Sequence, residues 1–123
     1  MPILDKSKFL WTMMICQPDF VDESIFEATK AALIKKRSDA NVSATRLEAI
    51  AEGLCVQIMH IGSYDDEPFT ITKMDEYAML NGYVIDIDGT RHHHEIYLSD
   101  PGKVAVKKLK TILRHPIKPK KMR

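Results

Sequence analysis

A carboxylate set inside a strand-like run narrows what this chain can become more than any other feature. Residues 92–101 read HHHEIYLSDP, rising from an Asp88-Gly89 turn and stopped by Pro101, which together describe a short strand. In strict alternation His93, Glu95 and Tyr97 share one face, while His94, Ile96 and Leu98 share the other. An acid and two aromatic rings looking into the same space suit a pocket for an apolar cation, the carboxylate supplying countercharge and the rings a polarisable wall. Chemistry, if the chain has any, rests on Glu95. The sequence holds no Gly-x-Ser-x-Gly, no glycine-rich phosphate loop and no aromatic and basic RNA-binding strand. In a partly apolar pocket the pKa of Glu95 would rise toward neutrality and suit a general acid or base; kept charged, it would suit a counterion.

The rest of the chain supplies elements for a sheet to hold this strand. Residues 9–16 are nearly continuous in apolar residues and predict a buried strand halted by Pro18. Asp19 or Asp22 then caps a helix that carries Ile25, Ala28, Ala32 and Leu33 at helical spacing and ends in Lys35-Lys36-Arg37, where cations complement the macrodipole. Residues 38–43 read as a loop, residues 45–51 as a strand, and Glu52-Gly53 as a turn into residues 54–61. There Leu54, Val56, Ile58 and His60 alternate with Cys55, Gln57, Met59 and Ile61. Asp65, Asp66 and Glu67 with Pro68 read as helix-start chemistry rather than metal ligands, ahead of a stripe of Ile71, Met74, Tyr77 and Ala78 and a stop at Asn81-Gly82. Residues 83–86 and 92–98 would pair as a hairpin across Asp88-Gly89. A short helical turn at 104–108 leads to a last strand, 109–117, with Thr111, Leu113 and His115 opposite Ile112 and Arg114. This order predicts an α+β domain, an antiparallel sheet with helices on one face. Residues 54–117 make a self-contained strand-helix-strand-strand unit, and residues 8–51 look like the end of a similar one.

With 123 residues, 45% of them apolar and 28% charged, the chain has room for one domain with a modest core and is not composed like a disordered segment. Eighteen lysines and arginines against 17 acids leave a net charge of +1, too weak a field to recruit nucleic acid or an anionic membrane. The basic stretch 118–123 reads as a solvated tail. Cys16 and Cys55 sit in apolar runs, as free cysteines do in a reduced, cytoplasmic protein, and no run approaches the length a bilayer requires. Successive strand residues face opposite ways, so His92-His93-His94 offers at most His92 and His94 to a metal, with His60 or His115 as a third ligand. No metal and no cofactor is therefore expected.

Four blocks, residues 11–20 (WTMMICQPDF), 52–68 (EGLCVQIMHIGSYDDEP), 94–101 (HEIYLSDP) and 109–114 (LKTILR), resemble the GyrI-like small-molecule-binding domain family, in that family's order. The resemblance implies a duplicated strand-helix-strand-strand (SHS2-type) fold whose two halves form a ligand cleft. It spans residues 1–123 as a single domain, with 8–51 a partial first repeat lacking its opening strand, helix and strand, and 54–117 a complete second repeat. It also implies that an acid on the penultimate strand faces the ligand, which is Glu95 here, and that Trp11, Met13, Tyr64 and Tyr97 line the cleft. The implied function is binding of amphiphilic or cationic drugs or toxins, in resistance or sensing. Stand-alone relatives imply two alternatives: a cofactor-free hydrolase opening the cyclopropane of DNA-alkylating toxins with Glu95 as its catalytic group, or a protein-interaction module. The incomplete first repeat implies pairing with a second copy or a complementing chain. Without a helix-turn-helix, no direct contact with nucleic acid is expected.

Overall fold

In a computed structural model, residues 10–36 and 40–121 are described, and the chain divides into two compact units, residues 1–50 and 51–123. The first unit is helical. Helix α1 (Glu23–Lys36) starts where Asp22 Oδ1 accepts the Ile25 N–H at 2.8 Å, so Asp22 rather than Asp19 is the cap, and it ends in Lys35 and Lys36 as the dipole favours. A short helix, α2 (Ala40–Ser43), follows where a loop was expected, and Lys30 Nζ reaches the Thr45 carbonyl at 2.7 Å. The strands expected at 9–16 and 45–51 are not formed: residues 10–16 and 45–50 are irregular, and Phe9 lies outside the described residues. Apolar, β-compatible composition makes a strand only where a neighbour takes its backbone hydrogen bonds, and among the described residues of this unit no other strand offers a ladder.

The second unit holds the sheet. Strand β1 (Cys55–Ile61) leads through a 3-10 turn (Tyr64–Asp66) into α3 (Glu67–Leu80), which stops at Asn81 and at Gly82, whose φ of 87° is the left-handed conformation glycine tolerates. Strands β2 (Tyr83–Ile85) and β3 (His94–Tyr97), a second 3-10 turn (Val106–Lys108) and β4 (Lys110–Pro119) complete it. The last strand thus runs past Ile117 and takes in Lys118 and Pro119. It is also the centre of the sheet, antiparallel to β1 along one edge and to β2 and β3 along the other.

The expected hairpin between β2 and β3 does not form. Ile85 pairs with Ile117 and His94 with Arg114, so β2 and β3 lie in line on one edge of β4, and residues 86–93 bulge out opposite His115 and Pro116 alone. The Asp88 turn is nonetheless real: its Oδ1 accepts the N–H groups of Thr90 and Arg91 at 2.6 and 2.8 Å and the Thr90 hydroxyl at 2.8 Å. Those bonds draw the exposed Asp88 carboxyl down to about 2. A two-stranded ribbon is marginal in water, whereas pairing both segments with a long central strand puts their inner side chains beneath a helix. The unit is therefore strand, helix, interrupted strand, strand.

Side-chain alternation separates the two faces of the sheet. Val56, Leu113 and Ile117 pack against Met74 and Ala78 of α3, with Ile58, Ile71, Tyr83 and Ile85 around them. The other face carries Met59, Ile61, Ile96 and Leu98, all exposed. Among the described residues no helix is long and apolar enough to cross a membrane.

Candidate functional site

The register of β3 on β4 sets Glu95 opposite Leu113 and Tyr97 opposite Thr111, both wholly buried on the helix side, so His93, Glu95 and Tyr97 look toward α3. From α3 comes Glu67. It lies on the buried stripe of Ile71, Met74 and Ala78, one turn earlier at i−4, and is 8% exposed despite being the helix's first residue. Its carboxyl comes close enough to that of Glu95 to help lower the Glu95 pKa. Tyr64 arrives on the 3-10 turn, which Ser63 caps by accepting the Asp65 N–H at 3.1 Å, and its ring meets Tyr97 edge-on, centroids 5.8 Å apart at 73°. The Tyr97 hydroxyl donates to Glu95 Oε2 at 3.5 Å, and His93 Nε2 stands 3.6 Å from that oxygen.

Of the two states open to Glu95, these contacts favour the ionised one. The Glu95 pKa is pulled down to about 2, first by the His93 bond and then, against the opposing cost of burial, by the Glu67 and Tyr97 bonds. Burial first, then the charge of Glu95, push the Tyr97 hydroxyl up to about 12, so it stays a donor. Because Glu95 binds its proton less tightly folded than at its ordinary value of 4.5, its stabilising effect is complete above about pH 4.5 and fades as pH falls toward about 2. The melting temperature of wild-type protein should therefore exceed that of Glu95→Gln above about pH 4.5, and the gap should close toward pH 2; a gap constant with pH would contradict the ionised assignment.

The three consecutive histidines part company. His94 turns to the free face and hydrogen-bonds Glu52 through Nδ1; Arg114 joins Glu52 at 2.6 Å and donates to Gln57 Oε1 at 3.0 and 2.8 Å. His60 is buried with Nδ1 against the Thr70 hydroxyl and Nε2 against the Ser63 carbonyl, both at 2.7 Å. Among the described residues no group of three His, Cys, Asp or Glu is arranged to hold a metal ion.

Of the five residues expected in a site, the structure brings Glu95, Tyr97 and Tyr64 together. Trp11 and Met13 belong to the first unit, 73% and 74% exposed on an irregular segment rather than on a strand. Glu67 escaped the sequence reading because an acid beside Pro68 is explained by helix-start electrostatics alone. The 67-71-74-78 spacing would have revealed it.

This arrangement can be set beside known proteins. The GyrI-like small molecule binding domain matches residues 12–118. The chain belongs to this family. Among solved structures the GyrI-like chain is similar to an uncharacterized conserved protein from Listeria innocua (TM-score 0.78, 43% identity, covering 83% of this chain and 50% of that one). It is also similar to a hydrolase from Listeria innocua (TM-score 0.75, 41% identity, 83% and 52%) and to a further structure described as a hydrolase from that organism (TM-score 0.73, 41% identity, 83% and 50%). The GyrI-like chain thus spans about half the length of the structures it matches. No curated protein matches it.

Proposed function

We propose that this GyrI-like chain binds a small organic molecule against Tyr64, Tyr97 and Glu95, and that the Glu67–Glu95 pair adds water to it. The observation that carries the reading is the meeting of two carboxyl groups: buried Glu67 lies beside an ionised Glu95 and helps to lower its pKa, and a proton kept on Glu67 would give a donor and a fixed anion at one point. An anion with so low a pKa is a weak base, so its part is to orient a water molecule and to stabilise positive charge developing on the carbon under attack. Glu67 donates its proton to the atom that leaves that carbon and regains one from the attacking water. A strained cyclopropane in an alkylating toxin suits this division of labour, because one ring carbon gains hydroxyl, the ring C–C bond breaks and the released carbon takes the proton. An open groove of about 650 Å³, lined in part by Ser63, Asp66 and Val106, lies beside the turn that carries Tyr64, though Tyr64, Glu67, Glu95 and Tyr97 do not line it. Similarity to structures described as hydrolases supports the same reading.

A second reading, binding without turnover, is favoured by the permanent charge on Glu95, which would serve a lipophilic cation as counterion. Product mass separates the two. Incubation with a cyclopropane-bearing alkylator should give a product heavier by one water; saturable binding with the compound recovered unchanged would overturn the hydrolytic reading and leave the second.

A further inference from the structure

Two features of this chain each lack what the other has. Strand β1 (Cys55–Ile61) pairs with β4 alone and forms one side of the sheet, so its outer edge carries no strand among the described residues. Natural edge strands are guarded by a lysine, a proline, an inward charge or a bulge. The β1 sequence, CVQIMHI, holds no lysine, arginine, acid or proline, and its seven residues run along β4 without a break in register. Beside this edge a groove of about 280 Å³ lies between α3 and β1, lined in part by Val56, Ile58, Met74 and Tyr77. The opposite side of the sheet is guarded, because the bulge at 86–93 interrupts it and carries Asp86, Asp88 and Arg91.

The second feature is the segment 10–16, LWTMMIC, which equals β1 in length. Leu10, Trp11, Met13, Met14 and Ile15 are all more than half exposed, and the segment has no ladder. Both alternate sets are apolar, with Trp11, Met13 and Ile15 in one and Leu10 and Met14 on either side of Thr12 in the other. That is the pattern of a strand covered on both faces. The β1 edge meets the demand: a strand added there has the α3 groove against one face, and on the other it continues the exposed row of Met59 and Ile61.

We propose that residues 10–16 of one copy of this chain add as a strand to the β1 edge of a second copy, and that the exchange is reciprocal. The occupant is a second copy because donor and acceptor belong to one sequence, match in length, and stand unpaired in the single chain. A reciprocal exchange fills both edges and closes as a two-fold dimer, leaving no edge from which a filament could grow. Backbone hydrogen bonds supply the affinity, and the groove selects the side chains. Strand β3 lies across β4 from β1, so the exchange is independent of the proposed reaction at Glu95.

Two variants separate donor from acceptor. Thr12→Pro removes a backbone N–H from a segment that forms no helix or strand, and Tyr77→Glu puts a charge at the groove on a side chain already 64% exposed. Sedimentation velocity of the wild-type chain should show a monomer–dimer equilibrium, with emission from Trp11, the sole tryptophan, moving to the blue as dimer forms. Each variant should weaken the dimer by about tenfold or more while its helical dichroism is unchanged. An equimolar mixture of the two should associate more tightly than either alone, because the Tyr77→Glu chain keeps its segment and the Thr12→Pro chain keeps its edge. A wild-type chain that is monomeric at every concentration overturns the proposal, as does a dimer that both variants leave intact or one in which Trp11 still emits as an exposed indole. A mixture no tighter than its parts would mean that the copies meet through another surface, and it overturns the exchange.

Discussion

Glu67→Gln is expected to keep its ligand and lose its chemistry. The amide can still donate to Glu95, so the carboxylate stays in place and KM should change little, but an amide cannot hand over a proton. Removal of a positioned general acid costs about 10²- to 10⁴-fold, and the loss should fall on kcat. Glu95→Gln behaves differently. It removes the charge that orients water and faces a bound cation, so kcat falls and affinity for cationic ligands weakens by about tenfold, the effect of about 1.4 kcal/mol of charge pairing. Steady-state kinetics on the hydrated product, with calorimetric binding alongside, separate the variants. Turnover of Glu67→Gln within a few-fold of wild type would mean that the buried acid is merely structural.

The other large effect concerns stability and lies in the bulge between β2 and β3. Arg91 Nη1 donates to Asp86 Oδ2 at 2.8 Å and to the Ile117 carbonyl at 3.3 Å, while Nη2 donates to the carbonyls of Leu54 at 2.6 Å and Glu52 at 3.2 Å. One guanidinium thus ties the bulge to the entry of β1 and the end of β4, with its planar fork suited to several acceptors at once. It also rests against Gly53, where a Cβ would lie 3.4 Å from Nη2 and where φ is +70°. Arg91→Met keeps the stem and removes every one of these bonds, leaving the half-buried Asp86 carboxylate without its guanidinium and the bulge without its links to Glu52 and Ile117, while the Leu54 carbonyl keeps the Ile117 N–H. A loss of about 2–4 kcal/mol is expected, read from the denaturant midpoint at unchanged slope. Asp86→Asn should cost less, because Lys118, 3.3 Å from Asp86, is itself largely exposed and contributes little. A loss below about 1 kcal/mol for Arg91→Met would show that the bulge holds without its tether.

The site was legible to the extent that its residues obey local periodicity. Period-two alternation put His93, Glu95 and Tyr97 on one face of β3, and the helix-start acids with Pro68 put Glu67 at the head of α3. The direction of the Glu95 pKa was not legible, because it depends on His93 and Glu67 arriving at one carboxylate from two elements. Nor was the meeting of His93, His115 and Asp75, which comes about because β4 lies beside β3 and beneath α3.

Alternation, helix stripes and turn residues are properties of neighbours in the chain, and for residues 54–119 they were enough to establish which segments form elements and which side chains share a face. Pairing is a contest between distant segments for one set of backbone donors and acceptors. It was settled in three dimensions, where β4 took the centre and drew β2 and β3 onto one edge in place of a hairpin, while the apolar runs at 10–16 and 45–50, with no strand among the described residues of their own unit to pair with, stayed irregular. The same contest brought the Glu67 and Glu95 carboxyl groups together and set the low Glu95 pKa, because the free energy of a charge is decided by whatever the fold puts beside it.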